Sequence, residues 1–146
     1  MAEETQLNTG DIVTIAQRPP KQTRADEINA RELVNLRDRG VCVSCGTVHP
    51  LFGVNFDHRK NRSQGGIWSA SNGQLLCGSG TVGCHGYMTQ HPAEAIREGW
   101  AVPSYANPAE WPARRMVHGH LIWVLYDDGG GWVEISEAEA KERMGS

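Results

Sequence analysis

Four cysteines in two pairs constrain this fold more than any other feature. Cys42-x2-Cys45 has the knuckle spacing that lets two thiolates point at one ion. Cys77 and Cys84 are separated by Gly78-Ser-Gly-Thr-Val-Gly83, which is flexible enough to loop out and bring both sulfurs to one metal. The chain opens Met1-Ala-Glu-Glu-Thr with no apolar leader, so no secretory signal is expected. Outside an oxidising compartment, metal binding or free thiols are favoured over a disulfide framework. Val, Ile, Leu and Phe together number only 28 of 146 residues. A thin core of that kind needs a staple, and zinc supplies folding free energy directly. The expectation is a structural Zn2+ on Cys42, Cys45, Cys77 and Cys84, against two buried pairs of free thiols.

The length suits one domain. No apolar run reaches the roughly 18 residues of a membrane span, so no membrane association is expected, and the cytoplasm is the expected compartment. The net charge is −3, but it is unevenly distributed. Residues 18–40 carry six bases and four acids, and residues 93–146 carry five bases and nine acids. Between Val41 and Pro92 the one acid is Asp57, followed at once by His58, Arg59 and Lys60, with Arg62 just beyond. A lone carboxylate in a basic, histidine-containing stretch calls for a chemical reason.

Residues 1–22 read as a flexible arm, with a short strand at Ile12–Ala16. Residues 24–39 read as an amphipathic helix, capped by Thr23 and ended by Gly40, with Arg31, Arg37 and Arg39 on a solvated face. Leu51–Phe56 reads as a strand that delivers Asp57 and His58 at its end. Residues 59–73 read as a loop, Gln74–Leu76 as a second strand, and Cys84–Gln90 as a helix followed by another from Pro92 to Gly99. The tail predicts a strand at Gly119–Tyr126, a turn at Asp127–Gly131, a strand at Trp132–Ile135, and a last helix capped by Ser136 and Glu139. His49, His118 and His120 read as structural. The division expected is an arm at 1–22, a zinc-stapled domain at 23–99, and an extension at 100–146 packing on it.

Asp57, His58, Asn72 and His85 can together do specific chemistry. Cleaving a phosphodiester needs a base for water and a cation for the charge that builds on phosphate oxygens. Histidine titrates near neutral pH, so it can take the proton. Adjacent residues at a strand end diverge to opposite sides, so one of Asp57 and His58 can ligate a metal while the other faces water. His85, at a helix start, can reach the same ion as Asp57. An oxygen and an imidazole make an open site suited to Mg2+, Mn2+, Ni2+ or Zn2+.

Asp57-His58, Asn72 and His85, in that order and framed by cysteines, resemble the HNH nuclease motif and its ββα-metal fold. The phrases Asp57-His-Arg-Lys-Asn-Arg-Ser-Gln-Gly-Gly66, Ser71-Asn-Gly-Gln-Leu-Leu-Cys77 and Gly83-Cys-His-Gly86 carry the likeness, which is nearest to small stand-alone HNH endonucleases of tailed bacteriophages. The resemblance spans about residues 41–92 and implies an α+β, treble-clef-like core. It implies His58 as general base, Asp57 and His85 as ligands of the catalytic divalent ion, and Asn72 as the residue that holds the loop orienting His58. It implies that Arg59, Lys60 and Arg62 contact DNA phosphates. Many members carry a third ligand four residues past the last histidine. Here that position is Thr89, with His91 as a substitute only if the helix ends early.

The activity so implied is metal-dependent nicking of DNA, leaving 5′-phosphate and 3′-hydroxyl ends. A packaging terminase is an implied partner, reached through the acidic tail and exposed tryptophans such as Trp100 or Trp111. The competing reading is a zinc-stapled nucleic-acid-binding or adaptor module without catalysis. Against that reading stands Asp57, since a carboxylate facing phosphate does nothing for binding alone.

Overall fold

The computed structural model describes residues 21–145. The expected strand at Ile12–Ala16 lies outside the described residues, as does the arm up to residue 20. The architecture is mixed α+β, with two small antiparallel sheets. Among the described residues no helix is long and apolar enough to cross a membrane.

Helix α1 (Arg24–Asp38) forms where expected: the Asp26 carboxylate accepts from the Thr23 backbone N–H, and Ala30 and Val34 turn inward at helical spacing. Arg39 and Gly40 then take left-handed backbone and end it. Strands β1 (Val54–His58) and β2 (Gly73–Cys77) pair antiparallel, with Asp57 opposite Gln74 and His58 opposite Gly73. A side chain at Gly73 would overlap the Phe56 ring, so glycine is required there for Phe56 to cross its partner strand. Strand β2 is buried along its whole length, and both α1 and the helix that follows pack on it.

Helices α2 (Gly83–Gln90) and α3 (Pro92–Arg97) come next. The C-terminal sheet has order β3-β4-β5 (Ala113–Val117, His120–Tyr126 and Trp132–Ile135), closed by helix α4 (Glu137–Arg143). Ser136 caps α4 by accepting from the Glu139 N–H. Among the described residues the interior is three small apolar clusters, around Leu76 with Trp100, Val34 with Leu75, and Val124 with Tyr126. Val43 joins the two sheets: its N–H donates to Leu75 O (2.9 Å) and its carbonyl accepts from Met116 N–H (2.7 Å).

The first strand starts at Val54 rather than Leu51. The His49 ring accepts the N–H groups of Leu51 and Phe52, and this folds those residues into a turn. Strand β3 has no counterpart in the apolar pattern, because its two buried residues are the small Ala113 and a cation, Arg115. Arg115 donates to the Asp38 carboxylate (2.9 Å) and to the Tyr126 hydroxyl (3.1 Å). Arg37 is not on a solvated face. It donates to Asp38 and to the carbonyls of Ala70 and Gly73. Trp100 and Trp111 are each only 7% exposed, so neither forms an exposed interface; Trp100 packs in the cluster around Leu76.

Arg59 is the largest correction. It is 1% exposed, so it cannot reach a DNA phosphate. Its guanidinium donates to the carbonyls of Ser71, Pro108, Trp111 and Pro112, at 2.8–3.3 Å. Its own carbonyl accepts from Val102 N–H. Burial lowers the Arg59 pKa to about 10, which still leaves it a cation at neutral pH. Arg59 is therefore a strut between the β1 end and the segment before β3. Truncation would strand several buried carbonyls. Arg59→Ala is expected to lower stability in urea denaturation by about 3 kcal/mol or more. A variant as stable as the parent would remove Arg59 from this role.

Candidate functional site

The sulfurs of Cys42, Cys45, Cys77 and Cys84 all lie within 4.8 Å of one another. The knuckle after α1 supplies the first two, the end of β2 the third and the first turn of α2 the fourth. Gly83 closes the intervening loop with φ +72°, and a Cβ there would crowd the Cys77 carbonyl. Zn–S bonds of about 2.3 Å put the sulfurs of a tetrahedral site about 3.8 Å apart. Cys45 Sγ and Cys77 Sγ are 3.7 Å apart.

Burial pushes the Cys42 thiol up. Burial, with the neighbouring Cys42 sulfur, pushes Cys84 up as well. Burial also acts to raise Cys45, but hydrogen bonds with Thr47 outweigh it and bring the thiol down to about 7. Four thiolates this close would repel strongly without a cation among them, and a divalent ion reverses that balance. The four cysteines could hold a metal ion, and the donor set is compatible with a closed, structural zinc site.

On the far side of β2 from α1, Asp57 and His85 come together: His85 Nε2 is 3.5 Å from Asp57 Oδ1. That is long for a hydrogen bond. Two ligand atoms each about 2.1 Å from one ion, near the tetrahedral angle, are about 3.4 Å apart, so the pair fits a shared metal. Burial raises the Asp57 carboxyl, opposed by the hydrogen bond from Gln74 and by the charge of His85. His85 Nδ1 is buried without a partner. A cleft of about 100 Å³ opens beside them, lined by Asp57, His58, Asn61, Thr89 and Trp100 among others.

Gln74 gave no functional signal in the sequence, yet it is fully buried and donates to both Asp57 Oδ2 (3.0 Å) and Trp100 O (2.7 Å). Hairpin register was the only available clue, since it sets Gln74 opposite Asp57. Of the two candidates for a third ligand, Thr89 lines the same cleft as Asp57, and His91 is not among its lining residues. Thr89 Oγ1 donates back to His85 O, and the His91 ring stacks on Tyr87 with Nδ1 against Tyr87 O.

His58 leaves the strand on the side opposite Asp57, as alternation requires. Its ring meets Trp68 edge-on at 4.3 Å and Phe56 at 5.2 Å, and its Nε2 is buried without a partner. Burial, then the charges of Arg62 and Arg31, hold its pKa down to about 4, so the ring is neutral at pH 7. Arg31 and Arg62 both lie over the Trp68 ring, at 4.8 and 5.7 Å. Arg62 is exposed, whereas the Lys60 ammonium donates to Ala106 O, which ties it to the protein.

Asn72 has no exposed surface. Its Oδ1 accepts from Lys60 N–H (2.7 Å), and its Nδ2 donates to the carbonyls of Lys60 (3.1 Å) and Ile67 (3.0 Å). It fixes both ends of the loop that follows His58, and its N–H and carbonyl groups are spent on that task rather than on a metal.

Comparison with protein-family models, with curated proteins and with solved structures returns no match for this chain.

Purified protein is expected to hold one zinc per chain by elemental analysis. Strong chelator is expected to lower the melting midpoint by about 10 °C or more, since structural zinc supplies several kcal/mol of folding free energy. Zinc-free protein with an unchanged midpoint would leave the four thiols without this role.

Proposed function

We propose that this chain is a metal-dependent DNA endonuclease of the HNH type, with a ββα-metal core. The observation that carries the reading is the Asp57–His85 pair, 3.5 Å apart beside a cleft whose flanking loop Asn72 holds. Asp57 and His85 would hold a divalent ion (Mg2+, Mn2+, Ni2+ or Zn2+), which supplies charge neutralisation at the phosphate. Gln74 orients Asp57 from the opposite strand.

His58 accepts the proton of the attacking water, and its neutral ring is the form that can do so. The reading requires that ring to turn out from Trp68 when DNA binds. Phosphates seated on Arg31 and Arg62 would offset the share of its low basicity that those cations cause. Arg62 and Arg31 then take the backbone contacts that Arg59 cannot. Two protein ligands predict weak metal affinity in the absence of DNA.

The non-catalytic zinc-stapled binding module is the second reading, favoured by the missing third ligand at Thr89 and His91. A bacteriophage origin, action in the host cytoplasm and a packaging terminase as partner belong to the proposal. The partner surface would not include Trp100 or Trp111.

The zinc-loaded protein is expected to nick supercoiled plasmid with Mg2+ or Mn2+ and to stop with chelator added during a short assay. His58→Ala is expected to lower the nicking rate by about 100-fold or more, at unchanged zinc content and melting midpoint. Asp57→Ala is expected to abolish nicking while DNA binding persists. DNA binding without nicking under every metal would favour the binding module.

A further inference from the structure

A cavity of about 450 Å³ lies between the C-terminal end of α1 and the β3–β4 hairpin, and it shares no lining residue with the Asp57 cleft. Its wall includes Arg37, Asp38, Arg39, Arg115, His118 and Trp132. Three of these carry guanidiniums: Arg37 and Arg115 are buried, and Arg39 is exposed at the rim. Among the described residues, Asp38 is the only acid that any of the three contacts, and both Arg37 and Arg115 already share it. Arg37 and Arg115 are 9% and 7% exposed, and Arg115 Nε is buried without a partner. Aromatic faces take up part of the excess: Arg37 lies 3.7 Å over the Tyr126 ring and Arg115 5.2 Å from that of Trp132. A surplus of buried cations around an open cavity attracts an anion.

The backbone sets where the rim residues stand. Among the described residues, Arg39 (φ 58°) and His118 (φ 50°) are the non-glycine residues in the left-handed region, and both line this cavity. Glycine or asparagine meets that backbone with less strain. Arg39 is the C-cap of α1 and His118 opens the two-residue β3–β4 turn, so a helix end and a hairpin turn together place both basic residues at the rim of this cavity.

We propose that this cavity is a second ligand site, which binds a phosphate group through Arg39, Arg115 and His118, with the enclosed Arg37 adding positive charge behind them. Guanidiniums match phosphate oxygens in pairs, and the apolar wall of Val41, Met116 and Trp132 suits a nucleoside attached to the phosphate. The phosphate could come from a free nucleotide or from the DNA backbone. The site does not depend on the nuclease reading, because none of its residues touches Asp57, His58 or His85.

The test uses the full, zinc-loaded chain and the double variant R39N/H118N. Asparagine tolerates left-handed backbone, so the variant is expected to melt no lower than the parent. Inorganic phosphate, dAMP and a non-cleaved duplex of phosphorothioate DNA are titrated by calorimetry. Binding of phosphate or dAMP that weakens at least tenfold in the variant assigns the site to a free nucleotide. Binding of the duplex alone, with the salt slope smaller by about 1 in the variant, assigns it to the DNA backbone. Parent protein that binds none of the three, or a variant that binds them as tightly as the parent, overturns the proposal. The parent's plasmid nicking is scored separately, so failure here leaves the Asp57–His85 reading to its own test.

Discussion

Asp38 ends α1 with its carboxylate enclosed, and it accepts from three directions. Arg37 on its own helix, Arg115 on β3 and the backbone N–H of Leu75 on β2 all donate to it. These contacts hold the N-terminal helix, the central hairpin and the C-terminal sheet together at one group. Removing one partner of such a cluster leaves an uncompensated buried charge, a loss of about 3–5 kcal/mol. Arg59 repeats the device over the same Tyr126 ring, with carbonyls in place of the carboxylate. The interior is therefore assembled around arginine as much as around apolar side chains, and the Tyr126 ring lies beneath Arg37, Arg59 and Arg115 alike.

That arrangement explains how a chain poor in Leu, Ile and Val can cover so much irregular backbone. Long arginine stems contribute apolar contact, while their five donors satisfy carbonyls in loops that have no strand partner. The four cysteine sulfurs do the complementary work at the other end of β2. A metal bound to them would tie the knuckle to the hairpin and to α2, beside the small cluster around Leu76 and Trp100.

The candidate site follows from the same hairpin. Pleat alternation sends Asp57 toward α2, where His85 meets it, and sends His58 toward Trp68 and α1. Under the nuclease reading, metal ligands and base come from opposite faces of one strand end. The loop between the strands then decides their relation. Asn72 clamps that loop from within the protein, which makes it a positioning residue whose effect passes through the backbone beside His58.

The sequence by itself determined the local elements and the close sets. Caps, helical spacing and glycine turns marked α1, α2, α3 and the β4–β5 hairpin to within a residue or two. Cysteine spacing anticipated the sulfur cluster, and the pairing of Asp57 with His85 followed from a strand end and a helix start. Tertiary structure alone decided what the arginines do. Arg37, Arg59 and Arg115 look like solvent or phosphate contacts in a linear chain, since nothing local shows that a carboxylate or a set of unpaired carbonyls waits inside. Strand β3 was hidden for the same reason, its buried residues being a small alanine and a cation. Gln74 and Trp68 became visible only through cross-strand register and through the packing of a loop. Burial is a property of the whole chain, and a short window of residues does not report it.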